Sequence, residues 1–146
     1  MSKIKSFRGL IADGDIDTIS LHTNTGAIGY RITKFQNMNN NPGAQLIEGV
    51  MKIYKTPQTA VDGVVDFSDQ TLLAACYHED NDSTAYSTSE VIIFDTEIFN
   101  QDIYITFKDM STGQPMNYYI ELEQVKLDLN ENTVATLKDI RNIKSQ

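Results

Sequence analysis

Three groups of residues in this chain have the types and spacing that could do chemistry. In Asp13-Gly14-Asp15-Ile16-Asp17 carboxylates occupy alternate positions, the spacing that opens a calcium loop because oxygens at its first, third and fifth places converge on one ion. The rest of such a loop is missing: Thr18 stands where a glycine makes the bend, and Asn24 where a glutamate closes the site with both oxygens. Asp13, Asp15 and Asp17 are therefore only fragmentary metal candidates, and a solvated acidic hairpin is the favoured account of them. His78-Glu79-Asp80, followed by Asp82, is the one local acid–imidazole cluster, the residue types of a general base or a metal ligand. Only His22 and His78 occur in the whole chain, so a zinc site lacks its spaced ligand set, and a solvated strand end is the simpler assignment. Cys76 and His78 could pair as nucleophile and base, yet residues two apart on a strand lean from one face, and nothing specifies a third, orienting group. Phosphate-cradling glycine loops and the G-x-S-x-G elbow are absent, and Gly26-Ala27-Ile28-Gly29 opens a strand instead of a helix. The residues argue against an enzyme and call for no cofactor.

The aromatic residues suggest contact in place of catalysis. There are seven tyrosines and no tryptophan. Tyr104 and Tyr119 fall on predicted outward strand faces and Tyr86 in a predicted loop, where an amphipathic ring can anchor a protein interface or stack on a sugar. Ordinary strand-surface tyrosine is the plainer alternative.

Composition sets the frame for these groups. At 146 residues and 40% hydrophobic, the chain suits one domain, residues 1–146, with a core that needs no staples. The single Cys76 excludes an intrachain disulfide framework. Twelve basic against twenty acidic residues give a net charge of −8, so no nucleic-acid partner is expected. No apolar run approaches the roughly 18 residues of a membrane span, and MSKIKSFRGL lacks a signal peptide's apolar centre. Synthesis in the cytoplasm and no membrane partner are the expectation.

The elements that must position these residues are mostly strands. Lys3 to Ala12 and Ile16 to Leu21 flank Asp13-Gly14, a strong hairpin signal. Residues 27–36 alternate, with Ile28, Tyr30 and Ile32 on one face. The asparagine-rich stretch through Asn41-Pro42-Gly43 has the composition of an exposed loop. Residues 45–54 alternate again, and Gly49 marks a close backbone approach or a bulge. Ser68 to Ala75 resembles a brief capped helix running into a strand at Cys76-Tyr77, and residues 78–89 look like a polar loop. Val91-Ile92-Ile93-Phe94 suggests a strand buried on both faces.

The densest strand-forming run is Glu90 to Leu127, where Ile103, Ile105 and Phe107 alternate with Tyr104, Thr106 and Lys108. After Ser111-Thr112-Gly113-Gln114-Pro115, Tyr118, Ile120 and Leu122 alternate with Tyr119, Glu121 and Glu123. The pattern predicts an antiparallel hairpin. Val125 and Leu127 fall out of phase, which predicts a β-bulge near Glu123-Gln124. After Asp128 the period changes. Asn130 can cap a helix over about 130–143, stapled by Leu129 and Val134, with Glu131 near its start and Lys138, Arg141 and Lys144 near its end. Val134, Leu137, Ile140 and Ile143 recur every third position, so the stripe winds around the helix, and Ile140 and Ile143 are expected to meet a neighbouring subunit. The fold class is then all-β, mainly an antiparallel β-sandwich with Greek-key or jelly-roll connections, with one C-terminal α-helix.

Three blocks, SLHTNTGAIGYRITKFQ (20–36), VIIFDTEIFNQDIYITFKDMSTG (91–113) and NYYIELEQVKLDLNENTVATLKDIRN (117–142), resemble a group of small virion structural proteins of tailed bacteriophages that infect marine bacteria. They cover about half the chain and include no motif of known chemistry, so no site residue follows from them. The resemblance implies a place in the virion, in the head shell or at its junction with the tail, in repeated copies. It implies as partners the chain's own copies in a homo-oligomer, the major capsid protein, or tail and connector proteins. A capsid auxiliary or decoration protein is the first expectation; a tail or fibre module that binds host-surface glycan is the second. The expected contacts are the termini, residues 37–43 and the outward tyrosines.

Overall fold

A computed structural model of the chain describes residues 3–21, 27–42, 46–80 and 87–127. Eight strands follow in order: β1 (Lys3–Ile11), β2 (Ile16–Ile19), β3 (Ile28–Asn39), β4 (Ile47–Tyr54), β5 (Leu72–Asp80), β6 (Ser87–Ile93), β7 (Ile103–Asp109) and β8 (Met116–Lys126). They form two antiparallel sheets, β1-β8-β3 and β2-β7-β4-β5-β6. One apolar cluster joins the sheets, with Ile32 and Phe35 of β3 and Ile120 and Leu122 of β8 on one side, and Met51, Ile105 and Phe107 on the other. The fold is thus all-β and sandwich-like. The expected helix at 130–143 lies outside the described residues.

The inward faces expected of the Glu90–Leu127 run are the observed ones. Ile103, Ile105, Phe107, Tyr118, Ile120 and Leu122 are all buried. Their expected hairpin does not form, because β7 pairs with β2 and β4 while β8 pairs with β1 and β3. Residues 110–115 carry the chain from one sheet to the other, so the two apolar faces meet across the core. The Asp13-Gly14 bend does the same between β1 and β2. Strand periodicity is blind to this choice: a hairpin and an inter-sheet arch both preserve the alternation. Side-chain hydrogen bonding decides it. Asp109, only 4% exposed, accepts the backbone amides of Ser111, Gly113 and Gln114 at 2.7–2.9 Å, coiling the connection so that β8 cannot run back beside β7. Gly14 and Gly113 both adopt positive φ, +82° and +84°, the region where a Cβ is strained.

The phase slip sits in a different strand from the one expected. β8 keeps its register with β1 from Met116 through Gln124. The irregularity falls between Ile32 and Lys34 of β3, where Thr33 is the extra residue. Buried positions in β3 accordingly switch from Tyr30 and Ile32 to Phe35 and Asn39. Leu127 is buried from beyond the end of β8, which satisfies its odd phase without any bulge at Glu123-Gln124.

Three further expectations are corrected. Residues 66–72 form two linked turns, with Asp69 N bonding Asp66 O and Leu72 N bonding Asp69 O, in place of a brief helix; the Asp66 and Asp69 carboxylates bind locally to Ser68 and Thr71, competing with helical bonding. Of the expected polar loop at 78–89, residues 78–80 and 87–89 are strand, since β5 runs on to Asp80 and pairs with β6 from Ser87, and the residues between lie outside the described ones. The same applies to β3, which includes Asn37 to Asn39 of the expected loop. Finally, β6 is a sheet edge with Val91 and Ile92 36% and 44% exposed, and not a strand buried on both faces. Gly49 does mark a close approach: a Cβ there would lie 2.6 Å from the Phe107 ring.

Candidate functional site

A cavity of about 670 Å³ lies at the three-stranded sheet, lined by Arg8, Gln36, Asn117 and Tyr119 of the outer face and by Gly9, Asn37 and Tyr118 of the inward-facing row. Its geometry follows from the registers of β8 with its two neighbours. Arg8 and Gln36 flank Tyr119 in one row across the sheet, and Leu10 and Met38 flank Asn117 in the next. Leu10 and Met38 are 51% and 66% exposed. The cavity lies over β1, β8 and β3 and reaches Ser89 and Val91 of β6. The half-buried Tyr119 donates its hydroxyl to Glu121 Oε2 at 2.8 Å. That bond, helped by partial burial and the charge of Glu121, raises the pKa of the phenol. Sequence pattern marked Tyr119 as outward; Arg8 and Gln36 drew no notice because each is unremarkable until the register aligns it with Tyr119.

Beside the cavity, the end of β3 meets β5 and β6 through polar side chains. Asn39 Nδ2 donates to Asp80 Oδ2 at 2.9 Å. Asn37 Nδ2, Asn39 Oδ1 and His78 Nδ1 are buried without hydrogen-bond partners among the described residues. Burial lowers the pKa of His78, against the opposing pull of the Asp80 carboxylate. The expected His78-Glu79-Asp80 cluster is split by strand alternation. Glu79 turns to the other face, where it accepts the Tyr77 hydroxyl at 2.8 Å, and the pKa of Tyr77 rises chiefly because of that bond. Cys76 is a core residue, 1% exposed, and desolvation pushes its thiol up to about 12. A thiol held neutral in this way is a poor nucleophile.

The Asp13–Asp17 carboxylates are drawn to separate tasks. Asp13 Oδ1 accepts the backbone amide of Asp109 at 2.8 Å and lies 3.7 Å from Lys108 Nζ. Asp17 Oδ2 accepts the hydroxyl of Tyr118 at 3.0 Å, and burial together with that bond raises the pKa of Tyr118. Asp15 contributes its backbone, bonding Phe107 N and Ala12 O. Among the described residues no group of three or more His, Cys, Asp or Glu could hold a metal ion, and no helix is long and apolar enough to cross a membrane.

Of the interface candidates, Tyr104 is half-buried on β7 between Thr18 and Tyr54, and Tyr119 lines the cavity. Tyr86, Ile140 and Ile143 lie outside the described residues. The structure adds an apolar surface that sequence reasoning missed. Residues 55–71 fold over the outer side of the five-stranded sheet, leaving Val64 and Phe67 exposed, with Phe67 edge-on to Phe94 at 5.4 Å. Next to them runs the β6 edge. The other edges carry protection of the usual kinds: β1 has Lys3, Lys5 and Arg8, β2 has four residues, and β3 has its bulge. The β6 sequence, STSEVII, has neither lysine nor proline. No protein-family model and no curated protein matches this chain.

Proposed function

We propose that this chain is a structural subunit of a tailed-phage virion, a capsid auxiliary or decoration protein that acts by assembly and does no chemistry. Its partners are its own copies and the major capsid protein. The observation that carries the reading is the β6 edge, where among the described residues no strand pairs on the outer side, Val91 and Ile92 are exposed, and Glu90 is the one charge in the strand. A free monomer keeps such an edge at risk of aggregation, whereas a lattice subunit has a neighbour to cover it. The resemblance of three sequence blocks to small virion proteins supports the same place, and a net charge of −8 discourages adhesion to packaged DNA. In this reading the strands connect in Greek-key or jelly-roll manner, and a helix at about 130–143 carries Ile140 and Ile143 to the neighbouring subunit.

The test uses particles stripped of this protein and re-supplied with variants. Ile92→Lys should abolish rebinding while leaving the thermal melt of the free protein unchanged. Undiminished rebinding, or stripped particles as resistant to heat and DNA loss as intact ones, would remove the reading. Deletion of residues 141–146 should also weaken assembly in light scattering.

A second reading is a tail or fibre module that binds host-surface glycan. The cavity favours it, since Tyr119 lies there among amide side chains and an arginine. Copy number per particle separates the two: hundreds of copies fit the shell, a handful the fibre.

A further inference from the structure

We propose that the cavity over β1, β8 and β3 binds a carboxylate-bearing saccharide, with Arg8 taking the carboxylate and Tyr119 meeting the sugar ring. This deepens the glycan-binding reading by naming the site and the ligand class.

The charge of the cavity points to the ligand. The chain carries eight more acidic than basic residues, yet among the described residues no acidic side chain lines this cavity, and Arg8 is its one charged group. The guanidinium is also available. Arg31, on the same outer face, is held by Glu123 at 2.8 Å, whereas Arg8 has no side-chain hydrogen bond or ion pair among the described residues. A guanidinium fork matches a planar carboxylate with two parallel hydrogen bonds.

The rest of the lining suits the rest of a sugar. Gln36 and Asn117 offer amides and Ser89 a hydroxyl, groups that both donate to and accept from ring hydroxyls. Tyr119 offers a ring whose hydroxyl is already tied to Glu121, which limits its swing and leaves its apolar body for a sugar's C–H face. The volume, about 670 Å³, falls in the range of small-ligand sites. A bare anion needs none of these neutral groups, and a neutral sugar does not need Arg8.

Titration of the full chain by calorimetry and amide-resolved NMR tests this with glucuronic acid and N-acetylneuraminic acid, and with methyl glucoside, acetate and inorganic phosphate as comparators. At least one acidic sugar should bind tenfold or more tightly than every comparator and shift resonances of Asn37 and Tyr119. Arg8→Gln should reduce that affinity at least tenfold with an unchanged thermal melt, and Arg8→Lys should recover only part of it. Should Arg8→Gln fold poorly, Gln36→Leu serves as the second variant, with the same expected loss. Equal binding of acetate or phosphate would reduce the cavity to an anion site and overturn the proposal, as would equal binding of methyl glucoside or no binding of either acidic sugar. Attachment of particles to host cells tests the glycan-binding reading separately, so a module that attaches through another surface fails here and succeeds there.

Discussion

The carboxylate of Asp13 accepts the backbone amide of Asp109 at 2.8 Å, and this bond fastens together two of the four places where the chain passes from one sheet to the other. Asp13 sits at the β1–β2 arch and Asp109 at the start of the β7–β8 arch. The same corner is reinforced from the backbone, with Gly14 N on Phe107 O at 2.8 Å. Asp13, which opens the calcium-like spacing in the sequence, is instead half of a clasp of the sandwich.

Asp109 should therefore be among the costliest polar residues to replace. Its carboxylate accepts four amides, from Glu48 as well as Ser111, Gly113 and Gln114. Asp109→Ala leaves these donors without their acceptor, and about 3 kcal/mol of stability should be lost. Asp109→Asn should cost nearly as much, because an NH2 group then faces N–H donors. Urea unfolding measures both, and a midpoint within error of wild type would refute the role.

The same carboxylate gives the fold an acid sensitivity with a definite sign. Burial raises the pKa of Asp109, but hydrogen bonds from Glu48, Gln114, Ser111 and Gly113 outweigh it and leave the value below the ordinary 3.8. A pKa depressed in the folded state contributes stability that is fully present above 3.8 and is lost as pH falls through the folded value. Wild type and Asp109→Asn should thus differ most above pH 3.8 and converge in stronger acid. A stability gap that stays constant from pH 6 down to about 2 would contradict this.

How much of this was legible in the sequence depends on which force decided each feature. Alternation identified six buried residues from Ile103 to Leu122, because burial follows each side chain's phase, although Thr106, expected outward, is buried too. Pairing partners were not legible, because the sheet that receives β8 depends on four amides gathering on Asp109. The Thr33 bulge was visible in principle: the buried phase moves from Ile32 to Phe35, three positions on, within a single strand. The cavity was out of reach, since Arg8, Tyr119 and Gln36 come from three strands and meet only through register. The β6 edge misled for a simpler reason. Four apolar residues in a row look the same whether a second layer covers them or solvent does.

Lys52 predicts the behaviour of the long segment between β4 and β5. It is 3% exposed, and its Nζ donates to Asp62 Oδ1 at 3.0 Å and to Val64 O at 2.6 Å. The ammonium holds the Asp62 carboxyl below the usual range, with the Val64 amide adding to the effect. Lys52→Met keeps the buried stem and removes the anchor, so the loop should loosen while the sheets persist. Hydrogen exchange at Val64 should quicken by roughly tenfold or more, with global stability reduced by about 1–2 kcal/mol. Unchanged exchange at Val64 would show that the loop is held by something else.

Gly49 and Phe107 make a pair that can be tested by compensation. A Cβ at Gly49 meets the Phe107 ring at 2.6 and 3.1 Å, and Phe107 is fully buried. The ring has no empty space to retreat into. Gly49→Ala should cost about 1–3 kcal/mol through overpacking. Combining it with Phe107→Leu, which gives up the ring edge that the methyl strikes, should lose clearly less than the sum of the two single changes. Additive losses in the double-mutant cycle would mean that the glycine is required for backbone reasons and not for the ring.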